Sequence, residues 1–354
     1  MNRQAFLDVL QKLSTSWARS VIADDRFTYV HLTEQFLEAQ NGLTAMRLPM
    51  PKSEMAGLDV AVPADMFLRL VKTLTGKNIR LRRMKEQLEF VSGTARGQLV
   101  ALGGDWPKLQ FPKGTDGYKK VPPLLGPAMQ LCLRSVEPDY TAIQGMLISG
   151  SMAVATDGAR ISLARLGGKI GVRVVFPREL VQVLSIFEEH ELARFRIDME
   201  EDGGDVYFRT KDGGYVHGKV LKPQPLWEEV VDWCKKARAQ VGTSVSLPKR
   251  LKAALERQLV VQAEIPEMDR DTRIAFKKDH ILLTSAVEAA GLVTDTFKIG
   301  PHRALDGIAF LINPGFLLDA LSRGDRFEYV TKGGIVRICG KHFEHLMRSA
   351  PAKR

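Results

Sequence analysis

Apolar positions along this chain fall into two alternating patterns, a helical stripe opened by proline and then a pair of period-two runs. Three stretches share the plan: Val62-Pro-Ala-Asp-Met-Phe-Leu-Arg-Leu-Val-Lys-Thr-Leu74, Phe176-Pro-Arg-Glu-Leu-Val-Gln-Val-Leu-Ser-Ile-Phe187 and Asn313-Pro-Gly-Phe-Leu-Leu-Asp-Ala-Leu321. Pro is expected at the first helical position, where its missing N–H costs nothing, and Asn313 is a good cap. Behind it, Phe67, Leu70, Val71 and Leu74, then Leu180, Val181, Leu184 and Phe187, then Phe316, Leu317 and Leu321 recur at helical spacing. A strand pair follows each helix: 79–82 with 88–91, 195–199 with 206–208, and 327–330 with 335–338.

An earlier helix opens each repeat. Phe6, Val9, Leu10, Leu13 and Trp17 form one stripe, and residues 124–136 form a second with Met129, Leu133 and Val136 as its spine. Leu247, Leu251 and Leu255 form the third, opened by Pro248 after Ser246. Each is followed by two strands, 36–40 with 43–48, 152–156 with 161–166, and 280–285 with 291–294. In the middle hairpin Asp157-Gly158 supplies the turn, because Gly takes positive φ without steric cost. The fold class read from this is α+β, three copies of one domain of two helices and a strand-rich remainder. The domains run over 1–115, 118–236 and 243–354, with breaks near 112–117 and 235–244. Repeats longer than a hundred residues are domains, not solenoid units.

Composition changes this picture little. The 354 residues are 45% hydrophobic and 26% charged, as in ordinary globular proteins, and no apolar run reaches the ~18 residues of a membrane span. The first residues lack the basic and apolar regions of a secretory signal. Cys132, Cys234 and Cys339 are odd in number and far apart, which argues against disulfides and thiolate zinc and for a reducing, cytoplasmic setting. The net charge of +10 fits either solubility or attraction to a polyanion, and its spread along the chain favours a folded basic surface over a disordered arm.

Catalytic chemistry is not found. There is no GxxxxGK[ST] loop and no GxGxxG after a strand. His342 and His345 have i,i+3 spacing without a supporting Cys or carboxylate cluster, so neither metal nor cofactor is expected. Asp139 and Asp157 lack a nearby nucleophile or base, and Trp17, Trp106, Trp227 and Trp233 read as packing residues.

With the threefold plan, Ala155-Thr-Asp-Gly-Ala-Arg-Ile161 after the strand Gly145-Met-Leu-Ile148 resembles the bacterial DNA polymerase sliding clamp family, the β subunit of the replicative polymerase. Val91-Ser-Gly93, Trp106-Pro-Lys-Leu109, Pro177-Arg178, Pro225-Leu-Trp-Glu-Glu-Val230 and Phe316-Leu-Leu-Asp-Ala-Leu321 are similar to the family too, so the likeness covers essentially the whole chain. It implies a processivity factor, not an enzyme: a head-to-tail homodimeric ring around double-stranded DNA, helices lining the hole, with no membrane partner. Sequence-blind phosphate contacts suit sliding. The DNA-facing candidates on or near the helices are Arg3, Lys12, Arg19, Arg69, Lys72, Arg134, Arg178, Lys249, Arg250, Lys252, Arg257 and Arg323.

The resemblance also implies a pocket between the second and third domains that takes short apolar peptides from polymerases and the clamp loader. Its carried-over wall is Ile143, Thr156, Gly158, Ala159, Arg160 and Ile161, with Pro225 and Val230 from the loop leaving the second domain, and Leu346 and Met347. The subunit contact is expected near Leu99 in the first domain and near Leu259 and Val260 in the third. This chain departs from the family pattern at Ala159, usually His, at Glu229, commonly basic, in its terminal sequence, and in its positive charge. An alternative is a monomeric basic nucleic-acid-binding accessory or decoy on the same fold.

Overall fold

Helix formation follows the expected stripes, with shifts at the ends. The computed structural model of the chain describes every residue except 20–23, 53–56, 103–105, 108, 113, 137–142, 289, 301–302 and 353–354; Asp139 lies outside the described residues. Among the described residues seven α-helices form: α1 (Arg3–Leu13), α2 (Ala64–Thr73), α3 (Leu125–Cys132), α4 (Arg178–Leu184), α5 (Leu226–Ala239), α6 (Leu251–Val261) and α7 (Pro314–Leu321). None is long and apolar enough to cross a membrane. In α7 Pro314 takes the first helical position, and Asn313 Oδ1 accepts from the amides of Gly315 and Phe316 at 2.9 and 3.2 Å. In α2 and α4 the proline sits one place earlier, as the cap residue. α6 starts at Leu251, because residues 248–250 close a turn in which Pro248 O accepts from Leu251 N.

One helix corrects the sequence reading outright. Residues 225–230 were expected to be a loop, yet α5 runs fourteen residues from Leu226 to Ala239. It buries only Trp227, Cys234 and Ala237, a narrow stripe among charged residues. Glu228 and Glu229 in its first turn and Lys236 and Arg238 in its last complement the helix dipole.

The chain forms two compact units, residues 1–130 with 167–222, and 131–166 with 223–354. In the first, an antiparallel sheet runs in the order Asp59–Pro63, Tyr29–Thr33, Phe36–Gln40, Thr44–Pro49, Tyr215–Leu221, Gly203–Thr210, Leu192–Met199 and Lys119–Lys120. A separate three-stranded sheet holds Arg80–Met84, Gln87–Ser92 and Ala95–Val100. Helices pair closely here: a Cβ on Gly126 of α3 would lie 2.0 Å from the carbonyl oxygen of Phe187, just past α4, so only glycine permits the approach.

In the second unit one sheet runs Thr243–Val245, Arg326–Val330, Ile335–Cys339, Phe343–Arg348, Arg160–Arg165, Met152–Thr156 and Met146–Ser149. The other runs Gly291–Lys298, His280–Val287, Thr272–Lys277, Ala309–Ile312 and Ala350–Pro351. α6 and α7 place Leu251, Leu255, Leu317 and Leu321 in a core with Phe276, Phe310, Phe327, Val336, Ile338 and Met347.

Candidate partner-binding site and basic surfaces

The Asp157-Gly158 turn is built by its own side chains. Gly158 has φ +86°, as the turn requires. Thr156 Oγ1 donates to Arg160 O at 2.7 Å and accepts from Gly158 N at 3.1 Å. The Asp157 carboxylate accepts from Ala159 N, Arg160 N and Arg160 Nε at 3.2, 3.1 and 2.8 Å. Thr156 and Asp157 therefore have structural work that any hairpin of this shape would need.

Strand register carries the strand Phe343–Arg348 to this turn. Arg160 pairs with Met347 and Ile161 with Leu346, that strand lying antiparallel to the hairpin. Because side chains alternate across a sheet, the expected pocket residues fall on two faces. Arg160, Ser162, His345 and Met347 share the face whose Met347 joins the α6–α7 core. Thr156, Ile161 and Leu346 share the other, on which α5 docks: Arg337 Nη2 donates to Ala237 O at 2.7 Å, and Arg238 meets Glu344 at 2.7 Å. Pro225 is exposed and Val230 half-buried on α5, Gly158 is exposed, and Ile143, Ala159 and Ile161 are half-buried. All ten expected pocket residues lie in the second unit.

Arg160 is not an open polar contact. Its side chain is 6% exposed, its guanidinium lies 4.0 Å from the Phe316 ring centroid, and it donates to Arg134 O at 2.5 Å. Asp319, on α7, holds the cluster together, with Arg160 Nη1 at 3.6 Å, Arg323 Nη2 at 2.8 Å and Arg134 Nε at 3.5 Å. Beneath it, Ser135, Ser162 and His345 form a buried chain, Ser–Ser at 2.7 Å and Ser162 Oγ to His345 Nδ1 at 2.8 Å. Burial, then the charges of Arg160 and Arg323, push the His345 imidazole down to about 3, so it is neutral at physiological pH. Sequence reasoning missed Ser162 and weighed His345 only as a metal ligand, and Asp319 entered it only within the Phe316-Leu-Leu-Asp319 string.

No protein-family model matches the sequence, and no curated protein matches it either. Solved structures match it along its whole length. The DNA polymerase III β subunit of Thermotoga maritima aligns with a TM-score of 0.75 over 100% of this chain and 99% of its own, at 16% identity. The sliding clamp of Pseudomonas aeruginosa gives 0.70 over 99% of both chains at 16% identity. The fold is that of a bacterial DNA polymerase sliding clamp. Another similar clamp structure, from Helicobacter pylori, has a DNA ligase peptide bound; it aligns at 0.69 over 99% of both chains with 14% identity.

Within the clamp fold the basic candidates divide by how their charge is used. Arg69, Lys72, Lys249, Arg250 and Lys252 are exposed and have no carboxylate partner among the described residues. Lys249, Arg250 and Lys252 flank the N-terminus of α6, where the helix dipole adds the same sign. Arg19 is exposed and Arg178 half-buried. Four others are committed. Arg3 donates to Gly76 O and Val71 O, tying α1 to the end of α2, and Lys12 pairs with Glu191 at 2.7 Å. Arg257 bonds Asp295 at 2.5 Å, and Arg323, 14% exposed, is spent on Asp319 and Leu131 O. Arg134 stays 70% exposed despite its contact with Asp319.

The clamp fold leaves two sheet edges of interest. Leu99 is half-buried on Ala95–Val100, the edge of the three-stranded sheet, beside exposed Val100. Leu259 is half-buried and Val260 73% exposed near the end of α6, which packs on the edge strand Gly291–Lys298.

Proposed function

We propose that this chain is a DNA sliding clamp, a processivity factor whose two subunits close head to tail around duplex DNA and tether a polymerase and other replication factors. The full-length fold match carries this reading, since both chains are covered almost end to end. In it, the three domains are 1–115, 118–236 and 243–354, and the ring works in the cytoplasm without catalysing a reaction. Arg69, Lys72, Lys249, Arg250 and Lys252 supply sequence-blind phosphate contacts, weak enough to slide because topology, not affinity, retains the DNA. Leu99 meets Leu259 and Val260 across the subunit contact.

Partner peptides from a polymerase or clamp loader dock where Thr156, Gly158, Ala159 and Ile161 meet Leu346, with Ile143, Pro225 and Val230 around them. Ala159 leaves more room than a larger side chain would, which favours a bulky apolar anchor. Arg160 acts as a positioning residue through Asp157 and Phe316, and Met347 supports the wall from behind.

The deciding experiment measures native mass and retention on nicked circular against linear DNA. The expected result is a dimer that stays on circles and runs off linear ends. Equal retention on both, by a monomer, would overturn the topological reading in favour of a basic accessory protein. The net charge of +10 is what favours that second reading. It predicts steeply salt-sensitive binding without ring closure.

A further inference from the structure

The α5 face of the second unit carries a cavity that the clamp reading does not use. It has a volume of about 180 Å³ and sits where the end of α5 meets five strands of the sheet. One liquid water occupies ~30 Å³, so the space suits an oxyanion with part of its hydration shell. Register explains how the lining assembles: Arg326 pairs with Cys339, Cys339 with Glu344 and Glu344 with Leu163, one row across the sheet, with Arg165 beside it opposite Met152. The turn at Gly340 closes the row at one end, because a Cβ there would lie 2.8 Å from Arg323 O. That fixed turn presents Lys341 and His342 at the rim.

The charges are ordered as well as numerous. Arg337 is buried at the centre, and Glu328 and Glu344 flank it at 3.0 and 3.8 Å. Outside them stand Arg326, 3.1 Å from Glu328, and Arg238, 2.7 Å from Glu344. Two carboxylates are thus shared among three guanidiniums. Arg165 and Lys341 are exposed at the cavity and have no carboxylate partner among the described residues. The lining presents four fixed cations against one carboxylate. Burial, above all, holds the Cys339 thiol up, so a neutral sulfur and not a thiolate lies on the floor.

We propose that this cavity is a phosphate-binding site, taking a dianionic phosphate group from Arg165, Lys341, Arg326 and Arg238, on the sheet face opposite α6 and α7. A dianion fits better than a single carboxylate because the charge left uncompensated exceeds one, and guanidiniums bind phosphate oxygens in pairs. The group comes either as free inorganic phosphate or as a phosphorylated side chain. The site does not depend on the clamp function, since none of its four cations is among the DNA-facing residues.

Calorimetric titration of the full chain with inorganic phosphate and with O-phosphoserine at low ionic strength tests it. The expected result is saturable binding of one probe per chain, weakened at least tenfold in the Arg165→Gln/Lys341→Gln double variant. The tighter probe identifies the source. Both substituted residues are exposed, so the unfolding midpoint should not move. DNA retention should also be unchanged. Absence of saturation with both probes, equal affinity in the variant, or a parallel loss of DNA retention would each overturn the proposal, the last by returning these cations to the DNA surface.

Discussion

Asp319 is the residue on which the hairpin site depends. Three guanidiniums converge on a carboxylate that is 14% exposed, so removing it strands Arg160 and Arg323 without their shared partner. Breaking a buried pair from one side costs about 3–5 kcal/mol, whereas exposed pairs contribute at most about 1 kcal/mol. Asp319→Ala should therefore lower the urea midpoint far more than Arg134→Ala; equal effects would mean that the cluster is solvated. His345 makes a second prediction. Its imidazole titrates near 3 when folded against an ordinary 6.5, so the unfolded chain takes up the proton first as pH falls. The contribution is complete above about pH 6.5 and is lost progressively toward pH 3. In His345→Gln the fall in stability between pH 6.5 and 4 should be shallower than in the parent, read from unfolding midpoints across that range. The turn chemistry of Asp157 and Gly158 was legible in the sequence because a hairpin turn is local. Burial of Arg160 was not, since Phe316 and Asp319 reach it only through the tertiary fold.

At the scale of elements, six helices were legible because a proline or an apolar stripe announces each, and the repeated hairpins because their pattern alternates. α5 was not, because its stability comes from outside it. Arg337, with a side chain 9% exposed, donates to Ala237 O and Gln240 O and thereby satisfies carbonyls at the helix end. Arg337→Leu should cost about 3 kcal/mol by leaving those carbonyls without their donor and depriving Glu328 and Glu344 of their buried partner, each keeping one more exposed arginine. Hydrogen exchange should then rise across Leu226–Ala239 while α6 and α7 keep their protection. Uniform loss of protection through the second unit would show that α5 does not open as a separate element. Gly126 makes the converse case in the first unit. Its close approach to Phe187 O appears in no local pattern, and Gly126→Ala should force α3 and the end of α4 apart, at about 1–3 kcal/mol or more.

For the whole molecule, threefold repetition could be read from the sequence because the same pattern occurs three times, but surfaces that meet other chains leave no such periodicity. Val260 illustrates the difficulty. A single exposed apolar residue is ordinary on a protein surface, and Val260 is a candidate contact through the family resemblance and its place on α6, the helix that packs on the edge strand Gly291–Lys298. Ala95–Val100 ends its own sheet, and open edges with exposed apolar residues pair readily with another chain. If Leu99 and Val260 join two subunits, Val260→Asp should convert the native species from two chains to one, and Leu99→Asp should do the same from the opposite side. Val260 is 73% exposed in one subunit, so its replacement should shift the unfolding midpoint of the isolated chain by no more than a typical surface change, about 0.5 kcal/mol. Retention on circular DNA should disappear with the dimer, while weak salt-sensitive binding to short duplexes persists through Arg69, Lys72 and the α6 cations. A variant that remains a dimer would place the contact elsewhere, and a monomeric variant that still stays on circles would separate DNA retention from ring closure.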